Sequence, residues 1–131
     1  MNWLWTLVIA GMLLFTPITA IADEWTKEDT ARQITFTLVT CVDWLQTKEI
    51  ARNPKYREGN PFLGPNPSQK KVDTYIAGAI VGHALISYLL PTKAEVFSYK
   101  INPRAIWQYF WIGVEAGASF HNYNAGVRIR W

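Results

Sequence analysis

The stretch TYIAGAIVGHALISYLL, residues 74–90, decides the fold because it runs for 17 residues without a formal charge. A transmembrane helix needs about 20 predominantly apolar residues, and this helix can begin upstream at Ser68. We therefore predict a membrane-spanning helix around which the rest of the chain packs. His83 stands at its centre, where a polar side chain is costly unless it faces protein or water.

The composition favours a small membrane protein. The chain has 131 residues, enough for one domain, and half of them are apolar while 18% are charged. Soluble domains usually carry about 25% charged residues. The basic residues are scattered between apolar runs instead of forming one stripe, so binding to nucleic acid is not expected. Cys41 is the single cysteine, which excludes an internal disulfide.

The amino-terminal segment, residues 3–22, is apolar and ends in Ala20-Ile-Ala22 before Asp23. This pattern is typical of a signal peptide cleaved after Ala22. The segment has no Lys or Arg at its start, so a retained transmembrane helix is the alternative. We divide the chain into 1–22, a signal peptide or amino-terminal transmembrane helix, and 23–131, a single helical membrane domain.

Start signals predict three helices in that domain. Thr26 opens a sequence that resembles a capping box, Ser68 is a suitable N-cap, and Asn102 is an N-cap followed by proline. The predicted bounds are 26–52, 68–90 and 103–121. The predicted fold class is therefore all-α, a small polytopic helical membrane bundle with three spans after the signal peptide or fourth span. For the first helix, an amphipathic helix of a soluble domain is the alternative, because its polar groups form one stripe.

Charge in the connections predicts the orientation. Residues 52–68 hold four prolines and two glycines, which indicates a loop. The loop at 52–73 and the carboxy-terminal tail carry seven Lys and Arg residues, against five on the other side. An excess of basic residues marks the cytoplasmic side. We therefore predict a cytoplasmic loop at 52–73, a location in the bacterial inner membrane, and membrane lipid as a partner.

Three ionisable residues are predicted to lie near the middle of the membrane. If the spans are 33–50, 74–91 and 105–121, then Asp43, His83 and Glu115 fall within roughly 5 Å of one another in depth, at 1.5 Å per residue. Such residues are candidates for proton or ion handling. Histidine with two carboxylates is also a metal-ligand set, so the same three are candidate metal ligands and candidate catalytic residues. The alternative is that they satisfy one another as structural polar pairs.

Two glycine pairs are predicted to form helix-packing surfaces. Gly78 and Gly82 lie on the second helix and Gly113 and Gly117 on the third, each four residues apart, a spacing that lets helices approach closely in lipid. On the third helix, Glu115 points nearly opposite the glycines. The two faces must therefore meet different neighbours, and we expect a homo-oligomer or another membrane protein as a possible partner.

A pair of motifs carries a family resemblance. Asp43-x-x-Gln46-Thr47, followed by Glu58-x-Asn60-Pro61-x-Leu63-Gly64, resembles small uncharacterised membrane proteins of bacteria and their phages, from about Trp25 to the carboxy terminus. No activity can be carried over from this resemblance, and it leaves the cofactors unknown. It implies one site or one structural lock made of Asp43, Gln46, Thr47, Glu58, Asn60 and Pro61.

The sequence thus leads to three hypotheses about function. The first is a small integral inner-membrane protein that acts by binding or assembly, with no assigned reaction. The second is an intramembrane enzyme or an ion- or proton-handling protein that uses Asp43, His83 and Glu115. The third is an outer-membrane β-type protein, in which 110–120 and 126–131 form a hairpin with an aromatic end.

Overall fold

The computed structural model describes residues 23–130. Three helices and one short hairpin make up this part of the chain: α1 (Lys27–Arg52), α2 (Gln69–Leu89), β1 (Ala94–Val96), β2 (Tyr99–Ile101) and α3 (Pro103–Asn124). The predicted all-α class is confirmed at this level. The predicted signal peptide or amino-terminal span, 1–22, lies outside the described residues.

Each helix begins where its capping residue predicts. Thr26 and Asp29 form a complete capping box, in which each side chain accepts a hydrogen bond from the other residue's backbone N–H. Ser68 and Asn102 each accept a hydrogen bond from the backbone N–H three residues later, at 3.2 and 2.9 Å. These bonds satisfy N–H groups that have no partner within the helix. The starts are therefore fixed by local chemistry.

The connection between α2 and α3 contains a hairpin that the sequence does not reveal. β1 and β2 pair antiparallel, with Glu95 opposite Lys100. Phe97 and Ser98 form the turn with φ of 48° and 68°. Short hairpin turns with positive φ usually carry Asn or Gly, so the ordinary sequence mark is missing here.

The β-type interpretation of the carboxy-terminal region is wrong. Residues 110–120 lie inside α3, and the tail at 127–130 has no regular structure. Asn102 and Pro103 start this helix as predicted, and the helical hydrogen bonds then leave no backbone donors for a hairpin. The strands of the described chain are the two three-residue strands β1 and β2.

The three helices form a bundle in which α1 and α3 run parallel and α2 runs antiparallel to both. Arg104 contacts Asp29 near the two helix starts, and Asn122 contacts Asp43 farther along. We call the end built from residues 23–32 and 88–104 the Arg104 end. The opposite end, built from the close of α1, the 53–68 loop, the start of α2 and the close of α3, is the loop end.

The bundle has a largely polar interior. Among residues 23–130, six buried residues besides Pro67 are apolar: Phe36, Ile50, Leu63, Val72, Ile76 and Val127. Nine are polar or charged: Asp29, Thr40, Gln46, Thr47, Glu49, His83, Ser87, Arg104 and Gln108. Most large apolar side chains of the helices instead face outward, which is the reverse of the usual arrangement in water-soluble domains.

Candidate functional site

The three predicted site residues do not share one set of partners. Asp43 and Glu115 lie within electrostatic range of each other across the interface between α1 and α3. His83 instead contacts Gln33, Phe36 and Trp107. The predicted common depth is therefore wrong for His83. Its partner Phe36 precedes Asp43 by seven residues of α1, about 10 Å along the helix, so His83 lies nearer the Arg104 end than Asp43 and Glu115 do.

His83 is held in an aromatic sandwich. Its ring stacks on Phe36 with 3.7 Å between centroids, and Trp107 lies 5.9 Å away on a nearly parallel plane. Its Nδ1 is 2.8 Å from Oε1 of Gln33. Because a carbonyl oxygen only accepts, this contact requires the proton on Nδ1. Nε2 then has no hydrogen-bond partner within residues 23–130.

Asp43 lies at the centre of a polar interface between α1 and α3. Asn122 Nδ2 donates to Asp43 Oδ1 at 3.1 Å, and Thr47 Oγ1 donates to Oδ2 at 3.4 Å. Glu58, in the 53–68 loop, also lies within electrostatic range of Asp43. Asp43 thus has two further carboxyl groups within electrostatic range, Glu115 from α3 and Glu58 from the loop. We call this set, with Gln46 and Ser119 beside it, the carboxylate seam.

The carboxylate seam contains buried oxygen atoms without partners. Gln46 is 5% exposed, and its Nε2 donates to the carbonyl of Ser119 at 3.1 Å. Its Oε1 accepts no hydrogen bond from the described residues, and Ser119 Oγ and Glu58 Oε2 are unpaired in the same way. Thr40, one helical turn before Asp43, is fully buried with its Oγ1 also unpaired. Buried polar atoms are seldom left unsatisfied, so these oxygens mark the seam as chemically unusual.

Basic side chains are directed elsewhere. The four ion pairs among residues 23–130 join Arg32 and Arg104 to Asp29, Lys48 to Asp73, and Arg130 to Glu49. None of the carboxylates in the seam takes part. The seam is therefore a concentration of like charges without a paired cation in the described part of the chain.

The geometry does not assemble a metal site from the predicted ligands. Among residues 23–130, no group of three or more His, Cys, Asp or Glu side chains is placed to hold a metal ion. His83 is hydrogen-bonded to Gln33, away from the carboxylate seam that contains Asp43 and Glu115. Two carboxyl groups with neutral oxygens are better suited to a proton or a weakly held cation than to a transition metal.

The loop motif folds back toward the end of α1. Glu58 Oε1 accepts from the backbone N–H of Asn60 at 2.7 Å, and Asn60 Oδ1 accepts from the N–H of Phe62 at 3.0 Å. Pro61 lies inside this turn, where its missing N–H is not needed. Leu63 then inserts between the helices, against Val72 and Ile76. The motif thus holds Glu58 within electrostatic range of Asp43.

The two glycine pairs face away from the bundle. A Cβ atom at Gly78, Gly82, Gly113 or Gly117 would meet nothing within 4 Å. These glycines therefore do not bring the helices of one chain together. Both small-residue surfaces are instead turned toward whatever surrounds the protein.

Arg104 organises the opposite end, which the sequence did not single out. The side chain is fully buried and donates to Asp29 Oδ2 at 2.9 Å and to the backbone carbonyls of Asp23, Glu24, Tyr88 and Leu90. Gln108, also fully buried, accepts from Arg32 Nε at 2.6 Å. The available clue was a guanidinium in the first turn of an apolar helix, opposite the carboxylate of a capping box.

Electrostatics at the Arg104 end favour ionised carboxylates. Burial acts to raise the pKa of Asp29, but hydrogen bonds from the backbone of Thr26 and from Arg104 and Arg32 outweigh it, so the pKa falls below the ordinary 3.8. The side chain and backbone N–H of Thr92 both donate to Asp23 and lower its pKa as well. A polar cleft of about 480 Å³ opens beside these residues. Its lining groups are mostly bonded to one another, which is typical of a structural lock.

Comparisons with models of protein families, with curated proteins and with solved structures gave no match.

Proposed function

We infer that this chain is a small integral protein of the bacterial inner membrane that spans the bilayer with three helices and acts by binding or assembly. The observation that carries this proposal is the reversed burial pattern, a polar interior inside an apolar exterior. In lipid, polar side chains face the interior of a bundle and join its helices by hydrogen bonds. In water, the same arrangement exposes large apolar side chains and buries polar groups, and both cost free energy.

The apolar exterior of α1 is a stripe at helical spacing. Ile34, Leu38, Val42 and Leu45 are 38–63% exposed and follow one side of the helix. Buried on the other side are mostly polar residues. With 26 residues, α1 is about 39 Å long at 1.5 Å per residue, more than the hydrocarbon core of about 30 Å. Its length and outward stripe both support a span.

α2 meets the ordinary criteria for a transmembrane helix by length and apolar composition. It is the one helix in the described chain that does so. Buried residues make up 22% of its apolar 18-residue stretch, whereas the central helix of a soluble protein is mostly buried. Val81, Leu85 and Leu89 are 58–66% exposed on its outer side. This exposure favours contact with lipid over a place in a soluble core.

α3 adds a third outward-facing apolar surface. Ile106, Tyr109 and Phe120 are 48–68% exposed, and its 22 residues reach about 33 Å. Gln108 and Arg104 face inward at its start. The helix is less apolar overall than α2 because its inward side is polar, which is the expected composition of a span that packs around a polar seam.

The ends of the bundle are suited to the membrane interfaces. Trp25 and Tyr88 lie 6.3 Å apart at the Arg104 end, while Tyr75 and Tyr123 lie toward the loop end. Such aromatic residues are enriched where the membrane meets water. Arg104 is buried and bonded to backbone carbonyl groups, so it does not count among the exposed basic residues of the Arg104 end. The excess of free basic residues at the loop end supports a cytoplasmic loop.

Assembly is supported by the outward glycine faces. Gly113 and Gly117 lie at the middle of the outer side of α3, between the exposed Ile106 and Phe120. A groove of small residues lets a second helix approach closely in lipid. A second copy of this chain, or another transmembrane helix, is the kind of partner that fits such a surface.

We expect the protein to remain in the membrane pellet after washing with alkaline carbonate. Three spans bury far more apolar surface in lipid than a peripheral contact does. In a variant with Cys41 replaced by serine, a cysteine at Gly59 should react with an impermeant maleimide from the cytoplasmic side, and one at Lys93 from the opposite side. Release by carbonate, or labelling of both sites from one side, would contradict the proposed topology.

We expect Gly113→Ile with Gly117→Ile to abolish any oligomer without disturbing the bundle. The added side chains enter open space in the monomer but fill the groove that a second helix would occupy. Cross-linking in native membranes measures the oligomer, and circular dichroism in detergent verifies the fold. The matched control is Gly78→Ile with Gly82→Ile on α2. An oligomer that survives both pairs of substitutions argues against assembly through glycine faces.

A further inference from the structure

We propose that the carboxylate seam is an intramembrane proton-binding site, in which Asp43 and Glu115 share one proton that is exchanged with water at the loop end past Glu58. The bound ligand is a proton, and the binding step is the reversible conversion of one carboxylate to a carboxylic acid. The site gains one positive charge when it is loaded. This inference goes beyond binding or assembly, because it assigns a chemical occupant to the interior of the bundle.

The first argument is the balance of charge. The 3.1 Å hydrogen bond from Asn122 places Asp43 against α3. Glu115 on α3 and Glu58 in the loop each lie within electrostatic range of Asp43. From α2, His83 is bonded to Gln33 and Asp73 is paired with Lys48. Within residues 23–130 no basic side chain forms an ion pair with the seam. Carboxyl groups that interact electrostatically in the interior of a bundle favour the state in which one of them holds a proton.

The second argument is the set of unpaired oxygens. Gln46 is only 5% exposed, and its Nε2 donates a hydrogen bond to the backbone carbonyl of Ser119. Its Oε1 has no hydrogen-bond partner among the described residues. That bond places Gln46 between α1 and α3, at the level of Asp43. A carboxylic acid donates a hydrogen bond, whereas a carboxylate only accepts. Protonation of the seam therefore supplies the donor that these oxygens lack.

The third argument is the position of Glu58. It is partly buried, and its Oε1 accepts a hydrogen bond from the Asn60 backbone N–H, while its Oε2 has no partner within residues 23–130. The loop that holds it belongs to the water-facing end of the bundle, whereas Asp43 and Glu115 lie deeper on their helices. Glu58 therefore stands between water and the pair, where a carboxylate can pass protons by repeated binding and release. His83, with separate partners, is outside this route.

The test uses dicyclohexylcarbodiimide, an apolar reagent that modifies carboxyl groups in their protonated form. The full-length protein in liposomes is treated over a series of pH values, and mass spectrometry locates the adduct. We expect an adduct on Asp43 or Glu115 at neutral pH that disappears at alkaline pH, and no adduct on the exposed Glu95 under the same conditions. In Asp43→Asn, the like charge is gone, so the midpoint for labelling of Glu115 should shift to lower pH by about one unit or more.

Other results would overturn the proposal. Absence of adducts on both residues throughout the pH series means that neither carboxyl group retains a proton. Loss of labelling when sodium replaces choline at constant pH assigns the seam to a metal cation instead. A midpoint for Glu115 that is the same in Asp43→Asn means that the two groups do not share a proton. Glu115→Gln, with circular dichroism as a test of folding, verifies that the bundle survives changes in the seam.

Discussion

Replacing Arg104 with methionine is expected to lower the free energy of unfolding by about 3–5 kcal/mol, the usual cost of removing one partner of a buried ion pair. The substitution keeps an apolar stem of similar length but leaves the Asp29 carboxylate in a buried place with Arg32 as its remaining cation. It also removes the donor for four backbone carbonyls. Unfolding in detergent with a chemical denaturant measures the loss.

The double variant Asp29→Asn with Arg104→Met distinguishes a coupled pair from two independent contacts. Because the two residues interact directly at 2.9 Å, the double variant should lose less than the sum of the single variants. The matched control is Lys48→Met. Its ion pair with Asp73 is partly exposed, so its removal should cost about 0–1 kcal/mol. Equal losses for Arg104→Met and Lys48→Met would contradict the role of Arg104 as an organising residue.

The same pair predicts how stability depends on pH. The pKa of Asp29 is lower in the folded protein than its ordinary value of 3.8. Its contribution is therefore fully present above the unfolded pKa and is lost as the pH falls below 3.8 through the lowered value. The acid-induced loss of stability should be smaller in Asp29→Asn. An unchanged acid profile in that variant would show that other groups are responsible.

The helices could be predicted from the sequence because their boundaries are set by local bonds. Thr26, Ser68 and Asn102 cap the helices through contacts within three residues. The hairpin at 94–101 could not, since Phe97 and Ser98 adopt positive φ without the residues that usually favour it.

The candidate site could be predicted in part, for a geometric reason. Residue spacing gives positions within each helix, but it does not give the offset of one helix against another along the bundle or the rotation of each helix about its axis. The offset of α2 places His83 beside Gln33 and Phe36 and leaves Asp43 with Glu115. The motif resemblance grouped Glu58 with Asp43 in one site or structural lock, but it did not predict the path of the loop that brings Glu58 toward Asp43. Arg104 was counted as a loop charge, although its contacts across the bundle bury it completely.

The loop has its own anchor, and removing that anchor should have the second-largest effect. Leu63 is 3% exposed and packs against Val72 and Ile76, with Trp44 beside them. Leu63→Ala leaves a cavity in this cluster, and we expect a loss of about 2–5 kcal/mol in the free energy of unfolding. Denaturant unfolding in detergent measures the change.

Phe62→Ala is the matched control, because the Phe62 side chain lies next to Leu63 in the sequence but is 74% exposed. Among the described aromatic residues, its ring stacks on Tyr75 alone. Its loss should be no more than about 0.5–1.5 kcal/mol, the value of one aromatic pair. Trypsin provides a local readout, since Lys55 and Arg57 lie in the same loop. Cleavage there should accelerate in Leu63→Ala and stay near the wild-type rate in Phe62→Ala. Similar cleavage rates and similar stabilities for the two variants would mean that Leu63 does not hold the loop, and the position of Glu58 beside Asp43 would then need another support.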